Sequence, residues 1–216
     1  AERLDLASEL LALGQATNDR DVQLHAHHWR AGDLLEAGRI TEAAQEMARH
    51  DALAATLDSP FRTWVAGYWR ANMAYIHGDL AGAEQTIRET MDVGTRVHAK
   101  NAAGVFATFL LGIRREQAKM AELEPMLRQL VQTQPAVAAW RCTLSLLLAN
   151  TGRLDEARQI FEQLAADDFA SLPFDSTWLV SMENVASTCV ALGDRERAAT
   201  LYRLAAPYSG LYIMVG

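Results

Sequence analysis

Apolar residues recur along this chain at spacings of three and four, the period of an amphipathic helix rather than a strand. Leu24, His28, Ala31 and Leu35 mark one stripe, and Ile40, Ala43, Ala44, Met47, Ala48 and Leu53 mark the next. Between the two stands Gly38, suited to the left-handed residue that ends a helix. The same punctuation returns. A Gly followed five residues later by Ala occurs at Gly38/Ala43, Gly78/Ala83, Gly152/Ala157 and Gly193/Ala198. A worn copy, with Ala118 in the glycine's place and Leu123 in the alanine's, lies between the second and third. Adjacent copies start 40, 40, 34 and 41 residues apart. A repeat of this length marks a stacked array of helical hairpins. The small Ala suits a close contact between helix axes.

The pattern predicts an all-α single domain over 1–216. Its hairpins are expected at 21–57, 60–98, 101–132, 136–166 and 176–206, after a partial repeat at 1–14 that supplies one lone helix. Within them the paired helices read as 22–37 with the stripe after Gly38, 61–77 with 80–98, 101–117 with 121–132, 136–151 with 154–166, and 177–192 with 195–206. Pro60 and Pro135 stand where a first helical turn tolerates proline, Pro60 after Ser59 as a candidate cap. Pro207 closes the last hairpin. The connection 167–176 carries Pro173 and paired acids, and predicts an ordered turn with Asp175 or Ser176 capping the helix that follows. The apolar tail 211–215 fits either a strand or the start of another helix.

Composition narrows the function classes. Half the residues are apolar, enough for a sizeable core, and the net charge is -7. That balance opposes direct binding to nucleic acid or to an anionic membrane, because phosphate binding needs clustered basic residues. The longest apolar run, 102–113, is shorter than a membrane span. Two lysines stand beside eighteen arginines, which with the many alanines suits a GC-rich bacterial genome. Cys142 and Cys189 belong to no C-x-x-C pair and read as buried thiols. The sequence opens at Ala1 without a charged-then-apolar leader and stops at Gly216, which reads as a segment of a longer cytoplasmic protein.

Candidate chemistry is sparse. No phosphate-cradling loop, nucleophile elbow or H-E-x-x-H motif occurs, so no catalytic or cofactor residue is assigned. His25 and His28 share a helix face as two metal ligands would, with Asp33 or His50 as a third, but this spacing lacks the paired pattern of a zinc site, and no metal is expected. Arg30 and Arg70 each lie eight residues before a glycine and point to structural ion pairs, with Asp33 or an acid of a neighbouring repeat. The aromatics Phe61, Trp64, Tyr68, Trp69 and Tyr75 read as packing residues. The first helices of such an array form an inner wall where partners bind. Counted from each glycine, that wall takes His25 and His28, then Tyr68, Asn72 and Tyr75, then Thr108 and Arg115, and finally Glu183 and Ser187. A groove of this make-up fits a peptide or helix.

The Gly-to-Ala phrases, with Phe161 and Tyr202 four residues after the Ala, resemble tetratricopeptide repeats over nearly the whole chain. That likeness implies a right-handed superhelix of about five hairpins. A period near 40 where 34 is usual implies longer first helices, and several copies lack the family's first-helix Trp and Tyr. Four stretches carry a narrower resemblance: L-H-A-H-H-W-R at 24–30, R-R-E-Q-A-K-M-A-E-L-E-P at 114–125, G-R-L-D-E-A-R at 152–158, and L-A-A-D-D-F-A-S-L-P-F-D-S-T-W-L at 164–179. They look like the carboxy-terminal repeat region of large bacterial multidomain ATPases, some linked to an adenylate/guanylate cyclase domain and others to a LuxR-type DNA-binding module. The resemblance implies a regulatory arm that binds a protein or peptide, other domains of its parent, or a second copy as a homodimer. Small-ligand sensing in the groove, or a purely structural arm of a LuxR-type regulator, are the alternatives.

Overall fold

The computed structural model describes residues 2–57, 59–97 and 101–214. Among them eleven α-helices and two short 3-10 helices occur, with no strand. In chain order they are α1 (Glu2–Ala16), α2 (Arg20–Glu36), α3 (Ile40–Ala55), α4 (Pro60–Ile76), α5 (Leu80–Arg96), α6 (Ala102–Glu116), a 3-10 turn (Met120–Leu123), α7 (Glu124–Thr133), α8 (Ala138–Asn150), α9 (Leu154–Ala165), α10 (Trp178–Leu192), α11 (Arg195–Ala205) and a 3-10 turn (Ala206–Tyr208). The architecture is all-α and helical-repeat-like.

One reversal is used again and again. Gly38, Gly78, Gly152 and Gly193 have φ between 69° and 80°. At each, the glycine N–H donates three residues back and the next N–H donates five back, as from Gly38 to Leu35 and Arg39 to Leu34. This Schellman pair satisfies carbonyls the helix end would leave open. Ala118 makes the same two bonds at φ 56° despite its Cβ. So does Asn18 at φ 54°, joining α1 to α2. Asn is the residue other than Gly that tolerates this region best, so the lone first helix turns into α2 by the same device.

Some expected boundaries shift, for local reasons. The second helix of the third hairpin does not run unbroken from 121. Pro125 lacks an N–H and clashes with a preceding turn, so a 3-10 turn comes first and α7 restarts with Pro125 in its first turn. Pro135 does not open α8, which begins three residues later behind Val137. Pro207 sits inside the closing 3-10 turn. Ser59 is the N-cap residue of α4, with Pro60 following, but its side chain makes no cap bond. The tail from Leu211 forms no regular element up to residue 214, and Val215 lies outside the described residues, as does His98.

The chain divides into two compact units, the first running to Ile113 and the second starting at Arg114. In the first, each helix from α1 to α5 packs on its sequence neighbour. Ala43 and Ala83 are wholly buried. Gly67 lets α4 approach α5 so closely that a Cβ there would stand 2.4 Å from the Thr90 hydroxyl. In the second unit α8 is buried nearly all round and touches α7, α9 and α10. Its core joins Cys142, Phe161, Leu164, Met182, Val185, Cys189 and Leu201. Both cysteines are buried free thiols, as their isolation in sequence predicts.

The connection 167–176 is ordered by its own core residues. Asp168 and Phe169 both take positive φ, a strained choice for side-chain-bearing residues. Burial of the Phe169 ring, 5.7 Å from that of Phe161, offsets the strain. Leu172 joins the same core. The Asp175 carboxylate accepts from the Thr177 N–H and hydroxyl, and turns the chain into α10. Trp178 then meets Phe174 and Tyr208 edge-on, and those two rings also touch each other.

Candidate functional site

Buried chemistry in the first unit gathers where α2, α3 and α4 meet. Glu46 lies on the stripe that carries Ala43, Met47 and His50, so helix geometry takes its carboxylate into the core with them. There the His27 Nδ1 stands 2.6 Å from one of its oxygens, while Arg49 and Arg30 donate to the other at 2.7 and 3.2 Å. Arg30 also donates to the Ser8 hydroxyl on α1. Burial pushes the Glu46 carboxyl up, but its bonds to His27 and Arg30, with their charges, outweigh burial and hold it below the usual carboxylate range. Glu46 is thus the ionised hub of a cationic cluster.

Beside this hub lies an aromatic layer. The His28 ring centre is 5.1 Å from that of Trp69 and 6.5 Å from those of His50 and Tyr68. Tyr68 lies tilted against Trp69 at 4.7 Å and meets Phe109 of α6 edge-on. Burial, helped by the charge of His25, pulls His28 down to about 4. Burial, then mainly the charges of His28 and His27, brings His50 to about 4. Both imidazoles are therefore neutral at neutral pH. Burial lifts the Tyr68 phenol to about 12, against a hydrogen bond with Asn72. Three buried polar atoms of this layer have no hydrogen-bond partner in the protein: His28 Nδ1, His50 Nδ1 and Trp69 Nε1. Orphaned polar atoms are uncommon in folded proteins, and three on neighbouring helices set this layer apart.

The sequence-derived positions separate into distinct settings. His28, Tyr68 and Asn72 converge in this layer. His25 is exposed one turn earlier on α2. Tyr75 is half-buried, its hydroxyl 3.4 Å from where a Cβ on Gly112 would stand. The Thr108 hydroxyl is turned back onto the Gly104 carbonyl. In the second unit Arg115 grips Glu183 with two bonds of 2.8 and 2.6 Å, and Ser187 donates to the same carboxylate. These three bind one another.

The repeated arginines do form ion pairs, but not with Asp33. Arg30 goes to Glu46 and Arg70 to Asp51 of α3, while Asp33 is taken by Arg3 of α1. Glu46 and Arg49 were not singled out by sequence reasoning, and Trp69 only as a packing aromatic. A charge inside the apolar stripe of α3 is the one signal that marks Glu46. Among the described residues no group of three or more His, Cys, Asp or Glu is placed to hold a metal ion, and no helix is long and apolar enough to cross a membrane. Compared with family models, curated proteins and solved structures, the chain finds no significant match.

Proposed function

We propose that this chain is a non-catalytic interaction scaffold, a tetratricopeptide-like right-handed superhelix that serves as the regulatory arm of a larger bacterial ATPase of the cyclase-linked or LuxR-linked kind. The observation that carries the reading is the one helix reversal used six times, with the same two hydrogen bonds at residues 18, 38, 78, 118, 152 and 193. Arrays built this way serve chiefly as extended binding surfaces. Two ionic groups, Glu46 with its arginines and Arg115 with Glu183, are consumed in structural pairs. The motif at 172–178 supports the narrower likeness, because its Leu, Asp and Trp each have a defined structural task. The partner is a protein or peptide, or another domain of the parent. Contact there biases the parent's output only if the partner prefers one of two states.

The test compares the full-length protein that contains this segment with a matched deletion of residues 1–216. ATP hydrolysis, cyclic-nucleotide formation and promoter binding are measured for both. A change in any output on deletion is expected, and unchanged values in all three overturn the reading.

The three orphaned atoms favour one second reading, a small-ligand sensor. Trp69 offers an obligate N–H donor, and each neutral histidine offers whichever role its tautomer allows. The two histidines of the layer are neutral, so the matching ligand is uncharged and planar, with an acceptor oxygen for Trp69. Tryptophan fluorescence titrated with uracil and nicotinamide tests this. A saturable change that disappears in His28→Leu supports the sensor, and no change with either probe removes it.

A further inference from the structure

The Nδ1 atoms of His28 and His50 are buried and have no partner in the protein. Both imidazoles are neutral, so with the proton on Nε2 each Nδ1 presents a free lone pair. One ring comes from α2 and the other from α3, and their centres stand 6.5 Å apart. Metal–nitrogen bonds of about 2 Å, with about 1.2 Å from the centre of each imidazole to its nitrogen, put two rings that share one ion about 6.4 Å apart. The observed separation is that of a bridged pair. A planar molecule entering the layer must part rings that lie between 4.7 and 6.5 Å of one another. A single ion between the two imidazoles need not.

We propose that His28 and His50 bind one soft monovalent metal ion, Cu(I), through their Nδ1 atoms. The donor set decides the ion. Zinc takes at least three protein ligands even in its open sites, and among the described residues no group of three or more His, Cys, Asp or Glu is placed to hold a metal. Nor is a carboxylate free to neutralise a divalent charge. Glu46 is held by His27, Arg30 and Arg49, and Asp51, next to His50 in sequence, pairs with Arg70. A buried charge without compensation is costly, and a single positive charge shared by two neutral nitrogens keeps that cost lowest. Imidazole suits copper, and a thioether favours its monovalent state. Met47 stands one turn before His50 on the same buried stripe of α3 and supplies a thioether in that register. His25 and His77 are exposed and lack this setting. The site uses neither the repeat register nor the identity of the parent protein, so it stands apart from the scaffold reading. It competes with the small-ligand reading for the same two imidazoles.

Isothermal titration in chloride-free buffer measures stoichiometry and affinity, with Ag(I) as a redox-stable probe of the same charge and softness and with Cu(I) under nitrogen. The protein carries Cys142→Ala and Cys189→Ala, because free thiols bind both ions. Both cysteines lie in the second unit, the histidine layer in the first. One ion per chain is expected, and zinc should not compete for it. Loss of an outer-shell partner costs a metal site about 10–100-fold in affinity, so removal of a ligand in His28→Phe or His50→Leu should cost at least about 100-fold. His25→Ala and His77→Ala should leave the affinity unchanged. Far-UV circular dichroism checks that each variant folds. X-ray absorption of the copper-loaded protein needs no histidine variant, and should show two nitrogen neighbours at about 2 Å. Failure to bind either ion at one per chain overturns the proposal. So does an affinity that survives both His28→Phe and His50→Leu, one lost equally in His25→Ala, or a copper shell without two nitrogens. A response to uracil or nicotinamide alongside none to silver removes the ion site and leaves the small-ligand reading standing.

Discussion

The turn at Ala118 can be tested against its glycine counterparts by exchanging the two residue types. Ala118 and Gly152 make the same pair of backbone bonds: to Arg115 and, through Lys119, to Arg114 in one case, and to Ala149 and, through Arg153, to Leu148 in the other. Their φ angles are 56° and 79°. The left-handed region costs a side-chain-bearing residue roughly 1–2 kcal/mol. Nothing lies within 4 Å of a Cβ added to Gly152, and Ala118 is exposed, so neither exchange adds or removes packing. The opposing effect is in the unfolded chain, where glycine's extra freedom is worth about 0.4–1 kcal/mol. Ala118→Gly should therefore stabilise by about 0.5–1 kcal/mol, and Gly152→Ala should destabilise by a similar amount. Urea denaturation followed by far-UV circular dichroism reads both against the parent. The variants should move in opposite directions, by roughly 1–4 °C in thermal midpoint for a chain of this size. If Ala118→Gly lowers stability, or if Gly152→Ala leaves it untouched, backbone strain is not what these turns share.

Further outcomes follow from the buried groups. His28 and His50 have folded values near 4 against 6.5 in the unfolded chain. The unfolded state then binds more protons between those limits, so the stability they support is complete above about 6.5 and is lost as pH falls towards 4. The slope is at most about 1.4 kcal/mol per pH unit for each histidine. Denaturation at pH 7 and pH 5 should show the loss, and His50→Leu should make it smaller; an unchanged difference would refute a buried neutral His50. Glu46→Leu strands Arg30 and should cost about 2–3 kcal/mol, less than a fully buried pair because Arg49 and part of Arg30 can rehydrate; a neutral result in urea denaturation would count against the hub. Ala157, wholly buried where the Ser145 hydroxyl meets its carbonyl, should destabilise by roughly 1–3 kcal/mol when enlarged to Leu, and an unmoved midpoint would remove that contact. Zinc and EDTA should both leave the melting curve unchanged, and a shift with either would reopen the pairing of His25 with His28.

What the sequence determined by itself is the local punctuation. Gly38, Gly78, Gly152 and Gly193 announce left-handed reversals because only glycine adopts that region freely, and the helix period on either side gives the elements. Asn18 makes the same turn and is harder to read, since asparagine is equally at home in caps and loops. Pro125 illustrates the limit of a periodic reading: the apolar spacing continues through it, but the missing N–H converts the preceding turn to 3-10. Tertiary structure alone decided the partnerships. Asp33 sits one turn from Arg30 in sequence, yet Glu46 takes the guanidinium because α3 packs its apolar stripe, charge included, against α2. His28, Tyr68 and Asn72 come together, while His25 stays outside, through the azimuth at which α4 docks. Backbone conformation depends on a residue and its nearest neighbours, and is legible in one dimension. A buried ion pair or an orphaned donor depends on which faces of distant helices meet, and that follows only from the packed whole.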